Sequence, residues 1–546
     1  MKFLFICITI LYIGILEAYC SDIELPPVIE GNKQLSSIQK IFIKKFLLVG
    51  NTVFSDKQLR PLIQSYENRF ISHEELQDVK NILTQYYIQQ GYINSGVVIP
   101  DQEVKYDKIR LEITEGKIDR IYVNGLKLLR PNYVINRIKL STDDGKLPLN
   151  VNRLQERLQI IKQDPLIKNV NAELKRGLNR GFADLYVQVI ENKPYSLQVK
   201  FNNYTSPGVS ANTGVLEAKL LNVSGWGDSI STELTKTKGL ESYSGEYILP
   251  FNRWGTTLLL GFDKTVSDIV SKPFNELDIY GISRNYYGYV RHPFYKTLST
   301  EFAMGLKLEK RYSKTHLFNK PFSFSPGVED GESKVSVLRF WQEWVDRSMS
   351  QVIAFRSTFS FGLNILDSTH HINEALNGPD GEFIAWLSQF QWVRMLPKLN
   401  SQLLLSLSGQ LSIDKLLPLE KFAIGGSSTV RGYRENFVTA DNGFLGSLEW
   451  RVPITQWIIP NIRKNSDKFD IKLATFFDYG TTWNTMTTIR PIPDSLCSIG
   501  LGLRCLLFKK VEADINWGYG LRDIEIPTDS DLQDKGIHFQ IKTMLF

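Results

Sequence analysis

Residues 469–478 read FDIKLATFFD, and as an extended strand this decapeptide has two unlike faces. Successive side chains of a strand point to opposite sides. Phe469, Ile471, Leu473, Thr475 and Phe477 therefore share one face, and Asp470, Lys472, Ala474, Phe476 and Asp478 share the other. The separation recurs at 444–452, where Phe444, Leu448, Trp450 and Val452 oppose Leu445, Ser447, Glu449 and Arg451. At 497–505, Cys497, Ile499, Leu501, Leu503 and Cys505 oppose Ser498, Gly500, Gly502 and Arg504. At 511–519, Val511, Ala513, Ile515, Trp517 and Tyr519 oppose Glu512, Asp514, Asn516 and Gly518. The apolar faces carry almost no charge, whereas the others carry both signs. This is the pattern of a membrane β-barrel, apolar toward lipid and polar toward its lumen. A soluble sandwich also alternates, with a dry inner and a wet outer face, so alternation by itself leaves that fold open.

The rest of the chain favours the barrel. Its first twenty residues, MKFLFICITILYIGILEAYC, place one lysine before an apolar run from Phe3 to Leu16, with Ala18 and Cys20 as cleavage positions. That is the form of a secretory signal peptide, 1–20. No later stretch approaches the ~20 apolar residues of a membrane helix. Aromatic residues make up 12% of the chain and concentrate in its C-terminal two-thirds. Cys497 and Cys505, eight residues apart on one strand, are separated by about 26 Å. A disulfide needs Cα atoms within ~7 Å, so no such bond is expected between them. From 194 to 546, sixteen strands would each have about 22 residues of strand and loop, a proportion usual for such barrels.

Function classes fall away on composition and motif. A net charge of +6 with 22% charged residues, and no basic stripe, argues against nucleic acid as a partner. The Gly-Leu-Gly of 500–502 sits inside a strand and lacks the next glycine of a dinucleotide loop. The six histidines are scattered, His370 and His371 falling in a polar loop without further ligands at metal spacing. We expect no enzyme, no metal and no cofactor.

Two related modules precede the barrel, at 41–116 and 117–193, with 21–40 as a linker. In the first, KKFLLVGNTVFS is a strand ending in a Gly-Asn turn, and Ser72 with Glu75 forms a capping box. Leu76, Val79, Ile82, Leu83, Tyr86 and Tyr87 follow at helical spacing, and KIRLEITEG alternates Ile109, Leu111 and Ile113. In the second, Val151, Leu154, Leu158 and Ile161 mark a helix, and ADLYVQVIENK alternates Leu185, Val187 and Val189. Gly50 matches Gly125, and Glu115 matches Glu191, at a period near 75 residues. A repeated strand–helix–helix–strand–strand unit behind a signal peptide resembles the POTRA domain. The exposed sheet edges of such units suit an extended client strand.

FAIGGSSTVRGYRE, 422–435, lies in a loop of about thirty residues between the strands SQLLLSLSGQL and GFLGSLEWRV. Loops of that length without structure of their own are usually functional or disordered. VRGY (430–433), then EWRVPI, then FFDYG (476–480), is similar to the outer-membrane transporters of two-partner secretion, the TpsB proteins of the ShlB/FhaC/HecB type. The resemblance implies a transmembrane barrel of about 16 antiparallel strands behind two α+β POTRA domains, with a loop at 422–442 folded into the lumen. It implies a lumen motif of Val430, Arg431, Gly432 and Tyr433, with Arg431 pairing with Asp478 of a strand motif completed by Phe476 and Gly480. Glu449 and Arg451 face inward as competing partners. It further implies a monomer in a Gram-negative-type outer membrane, its POTRA domains in the periplasm, inserted by the barrel-assembly machinery. The expected partner is a large unfolded exoprotein, whether adhesin, hemolysin or toxin, bound in extended form and exported without nucleotide hydrolysis. An insertase of the same superfamily is the alternative, and a passive porin a third class.

Two features depart from the family pattern. The roughly twenty residues between cleavage and the first strand leave little room for the family's plug helix. The terminal alternation of Ile537, Phe539, Ile541 and Leu545 is out of phase with Phe546, so a bulge near Met544 is needed to restore it.

Overall fold

The computed structural model describes residues 40–102, 104, 106–370, 378–455, 469–486, 491–524 and 530–545. The expected signal peptide, the linker up to residue 39, His371 and Phe546 lie outside the described residues. The chain divides after Gly116 into two units.

The first unit runs β1 (Ile41–Ile43), β2 (Lys45–Val49), α1 (Asp56–Ile63), β3 (Arg69–Ile71), α2 (His73–Gln89), β4 (Gly96–Val98) and β5 (Lys108–Thr114). β5 is central, parallel to β2 and antiparallel to β4. Helix α2 begins at the capping box read from sequence. The Ser72 hydroxyl accepts from the Glu75 N–H at 3.2 Å, and the Glu75 carboxylate accepts from the Ser72 N–H at 2.8 Å. Its buried stripe of Val79, Leu83 and Tyr87 packs on Ile109, Leu111 and Ile113.

The second unit opens with β6 (Lys117–Asn124), α3 (Pro131–Ile138), α4 (Val151–Lys162), β7 (Ile167–Arg176) and β8 (Phe182–Glu191). Again the last strand is central, β8 being parallel to β6 and antiparallel to β7. Leu154 and Ile161 of α4 pack with Leu185, Val187 and Val189. The sequence repeat has a physical basis. Gly50 and Gly125 adopt φ of 92° and 86°, and a Cβ on either would strike a carbonyl of the central strand, Ile113 or Val189. The turn behind each glycine is then tied down by a glutamate. Glu115 accepts from Thr52 N and Val53 N, both at 2.8 Å, and Glu191 accepts from Lys127 N at 3.1 Å and Leu129 N at 2.8 Å.

Among the described residues every long element from Tyr195 onward is a strand. They are β9 (Tyr195–Asn202), β10 (Thr213–Leu221), β11 (Ser229–Lys236), β12 (Leu240–Pro250), β13 (Thr257–Asp268), β14 (Tyr280–Lys296) and β15 (Thr300–Leu317). After the two-residue β16 (Lys320–Pro321) come β17 (Glu332–Arg347), β18 (Gln351–Leu363), β19 (Ile384–Leu396) and β20 (Ser401–Ser412). The short β21 (Phe422–Ile424) and β22 (Val438–Ala440) form a hairpin inside the next connection. β23 (Asn442–Pro453), β24 (Phe469–Trp483), β25 (Ser495–Leu507), β26 (Val511–Gly520) and β27 (Ile537–Met544) complete the wall.

Sixteen of these strands pair antiparallel in a ring, and β27 returns to β9 from Gln540↔Asn202 to Met544↔Gln198. Closure removes the sandwich alternative, because a sandwich has sheet edges and this ring has none. The faces fall as the alternation predicts. Ile499, Leu501, Ile515, Trp517 and Phe477 lie on the exposed outer surface, while Phe476, Asp478 and Glu449 are buried inside. Among the described residues no helix is long and apolar enough to cross a membrane, so crossing falls to the strands. β27 pairs with β9 without a register shift through Met544, so no bulge interrupts that ladder.

Because β9 continues from β8, the turns at 222–228 and 251–256 lie at the barrel end next to the second module. They seat it. The Arg130 N–H donates to the Gly225 carbonyl at 3.0 Å, its guanidinium lies 4.5 Å from the Trp226 ring, and Arg253 meets Asp144 at 2.5 Å. The connection from β20 to β23 emerges at the opposite end.

Candidate functional site: the lumen loop

The connection between Ser412 and Asn442 turns back into the barrel, and its apolar residues explain why it stays. Ile424, Val430, Tyr433 and Val438 bury against Leu496 of β25. Val430 fits because the facing wall residue is Gly480, where a Cβ would come within 2.9 Å of the valine methyl. Gly432 adopts φ of 97°, and a Cβ there would lie 2.8 Å from the Gly518 carbonyl oxygen. The turn therefore hugs the wall backbone in a conformation that L-residues with side chains avoid. The Tyr433 hydroxyl donates to the Cys497 carbonyl at 2.8 Å and accepts from the Arg522 N–H at 3.1 Å.

Arg431 is pressed between these contacts and the wall. Its Nε donates to Asp478 Oδ2 at 2.7 Å, its Nη2 to Oδ1 at 2.8 Å, and its backbone N–H to Oδ2 at 3.1 Å. The planar fork thus holds the carboxylate with two side-chain bonds, the geometry that distinguishes arginine from lysine. Nη1 donates to Glu449, and the guanidinium carbon lies 3.5 Å from the centre of the Phe476 ring. Each residue of the strand motif has its own contact: Phe476 stacks, Asp478 pairs and Gly480 makes room.

Arg431 and Asp478 are almost wholly buried, so neither charge is tolerable alone. The surrounding charges balance them. Glu449 also holds Arg451 at 2.5 Å and Arg504 at 3.1 Å, and Arg504 lies 3.8 Å from Asp514. Three arginines thus meet three carboxylates. Glu449 does not compete with Asp478 for Arg431, as the sequence suggested; it shares it, on a different nitrogen. Arg451 does not bond Asp478 in the structure and serves Glu449 instead.

Several members of the site lie outside the two motifs. Ser447 donates to Asp478 Oδ1 at 2.6 Å. Arg434 forks onto Asp534 with two bonds of 2.6 Å. Glu435 N–H donates to Gln533, and Gly432 N–H donates to His538 Nε2 at 3.3 Å. Asp534, Gln533 and His538 lie about a hundred residues downstream, and the wall from β23 to β27, built of successive antiparallel pairs, brings them to the loop. The second arginine of VRGYRE, Arg434, is the sequence feature that points to a second carboxylate partner.

Comparison with known proteins matches this arrangement to a family. The model of the haemolysin secretion/activation protein ShlB/FhaC/HecB covers residues 181–505. The chain belongs to that family. The ShlB-type POTRA model covers residues 41–116. The outer membrane transporter CdiB of Dickeya dadantii is 21% identical over 425 residues, 75% of this chain and 72% of the relative. The heme/hemopexin transporter protein HuxB of Haemophilus influenzae is 20% identical over 469 residues, 82% of this chain and 77% of the relative. Among solved structures, CdiB from Escherichia coli superposes with a TM-score of 0.70 at 15% identity, over 95% of this chain and 94% of that one. Membership makes this ShlB/FhaC/HecB-family barrel an outer-membrane secretion pore with its POTRA region in the periplasm. The family consists of transporters.

Proposed function

We propose that this transporter takes up one large secreted exoprotein in extended form on its periplasmic modules and passes it through the barrel as the 422–442 loop moves aside. The observation that carries the reading is a loop inside a closed barrel, held there by ionic and hydrogen-bonded contacts to a wall that stands without it. Such contacts break and reform more readily than a sheet ladder, where every rung lost exposes backbone to lipid. In this reading 1–20 directs export, 117–193 acts as a second POTRA domain, and the protein works as a monomer in outer-membrane lipid after insertion by the barrel-assembly machinery. Val430, Arg431, Gly432 and Tyr433 form the movable half of the gate, with Phe476, Asp478, Gly480 and Glu449 as its seat.

No nucleotide is supplied in the periplasm, so direction comes from folding of the client outside, which prevents its return. The chain is not an enzyme in this account and takes no cofactor. The insertase alternative draws on the same fold, as in BamA from Haemophilus ducreyi with a TM-score of 0.56. The two modules among the described residues, where insertases usually carry three to five, favour export. Deletion of the gene, followed by assay of the culture supernatant, should show one large exoprotein missing while the other outer-membrane barrels keep their abundance. A general loss of barrels would favour the insertase.

A further inference from the structure

The VRGY limb of the loop lies on β23–β27, which leaves the other half of the lumen to be accounted for. There, a cavity of about 790 Å3 lies along β12–β20, and Leu419–Lys421 of the loop form its remaining side. Glu420 is the buried residue of that short stretch. Its carboxylate accepts from Arg339 Nη2 at 2.8 and 3.0 Å and from Arg311 Nη1 at 3.0 Å. Arg339 in turn donates from Nε to Glu309 at 3.0 Å and from Nη1 to Ser360 at 2.6 Å, and Lys307 meets Glu309 at 3.2 Å. Just before it in sequence, Leu416 and Leu417 bury against Val335, Val337, Phe383 and Ala385 of the same wall.

We propose that Glu420, gripped by Arg339 and Arg311, is a second latch that closes the cavity-lined half of the lumen, and that the exported chain passes on this side once the latch opens. The charge count supports it. The wall alone brings three cations, Arg311, Arg339 and Lys307, against two carboxylates, Glu309 and Asp263. Glu420 supplies the missing negative charge, and it is the loop that brings it. The two limbs are thereby fastened to different walls, Glu420 to β15 and β17 and Arg431 to β23 and β24. Release of Arg431 alone would leave the cavity side shut. The inference rests on the export reading for what passes through, but the latch itself is measurable without any client.

The test uses the full-length protein in planar bilayers. Glu420→Gln keeps the shape and removes the charge. It should raise the occupancy of large-conductance openings about tenfold, equivalent to about 1.4 kcal/mol, while the protein keeps the heat-modifiable gel mobility of a folded barrel. If Glu420→Gln lowers the folded fraction, Arg311→Gln probes the same contact from the wall. A folded variant with wild-type conductance overturns the latch. Passage is tested by Glu420→Cys with Arg339→Cys, in a background with Cys497→Ser and Cys505→Ser, bridged by a short bismaleimide. Bridging should return conductance to the closed level and stop secretion. Secretion at the unbridged rate would overturn passage on this side. A latch that answers in the bilayer, in a protein whose deletion removes no exoprotein, would leave the latch standing and sink the export reading instead.

Discussion

Arg431 supplies three of the hydrogen bonds that Asp478 receives, two from its guanidinium and one from its own backbone N–H. A side chain and the main chain of one loop residue thus converge on one wall carboxylate, so the pairing fixes the loop's backbone as well as its charge. Arg431→Ala removes two of these bonds and leaves Asp478 buried without its cation. Breaking a buried pair in this way costs about 3–5 kcal/mol, here levied on the docked position of the loop. Secretion should fall sharply while the amount of inserted, heat-modifiable barrel stays near normal. Normal secretion by Arg431→Ala would remove the loop from the mechanism.

Gly432→Val tests the turn without touching charge. The new side chain meets the Gly518 carbonyl at a positive φ, and strained positions of this kind cost about 1–3 kcal/mol. The loop should undock, so protease added to intact cells should cut within 422–442 faster than in the wild type. Equal protection would show that the turn tolerates a side chain.

Leu501→Arg tests which face meets lipid. Leu501 lies exposed on the outside of β25, and an arginine on the lipid face costs about 2–4 kcal/mol near the bilayer midplane. Inserted protein in outer-membrane fractions should drop, whereas Gln389→Arg, placed on the cavity side of the wall, should insert normally. Equal insertion of both would contradict the facing.

The first module carries a pH-sensitive helix start. Glu75 is held below the ordinary carboxylate range chiefly by the hydrogen bond from the Ser72 backbone N–H, with Arg69 adding to it. A group depressed on folding contributes stability that is present above its unfolded value and disappears as pH falls through the folded one. The N-terminal turn of α2 should therefore hold through the ordinary carboxylate range and loosen only as pH falls below it. Amide exchange at residues 73–76, corrected for intrinsic pH dependence, should show this in wild type and not in Glu75→Gln.

The repeated glutamate predicts paired effects. Glu115→Ala removes the acceptor for Thr52 N, Val53 N and the Tyr87 hydroxyl, and Glu191→Ala does the same for Lys127 N to Leu129 N. Exchange should quicken at residues 52–53 in one variant and 127–129 in the other, by the ~1 kcal/mol typical of a lost hydrogen bond.

What sequence made visible was whatever repeats at short range. Alternation at 469–478 and 497–505 gives a wall face because the strand period is two, and the capping box at Ser72 and Glu75 needs only three residues of separation. The pairing of Arg431 with Asp478 came from two motifs resembling a family, and Asp478 falls on the inward face by the same alternation. His538, Asp534 and Gln533 stayed hidden because the loop reaches them by folding across the wall from β23 to β27, a contact that no short-range spacing encodes. Glu420 stayed hidden for another reason: in KLLPLEKF it looks like any charged residue beside a turn, and its burial follows from Leu416 and Leu417 docking on a wall eighty residues away.

The loop leaves the wall at Ser412 and returns at Asn442, and the two strands it joins are direct partners, Gln410 opposite Gly443. Its two roots are therefore anchored about 5 Å apart, one strand spacing, like the pins of a single hinge. The plug can swing through a wide arc without unzipping any rung of the cylinder, so the protein can unblock its bore repeatedly while its seal against the lipid stays intact.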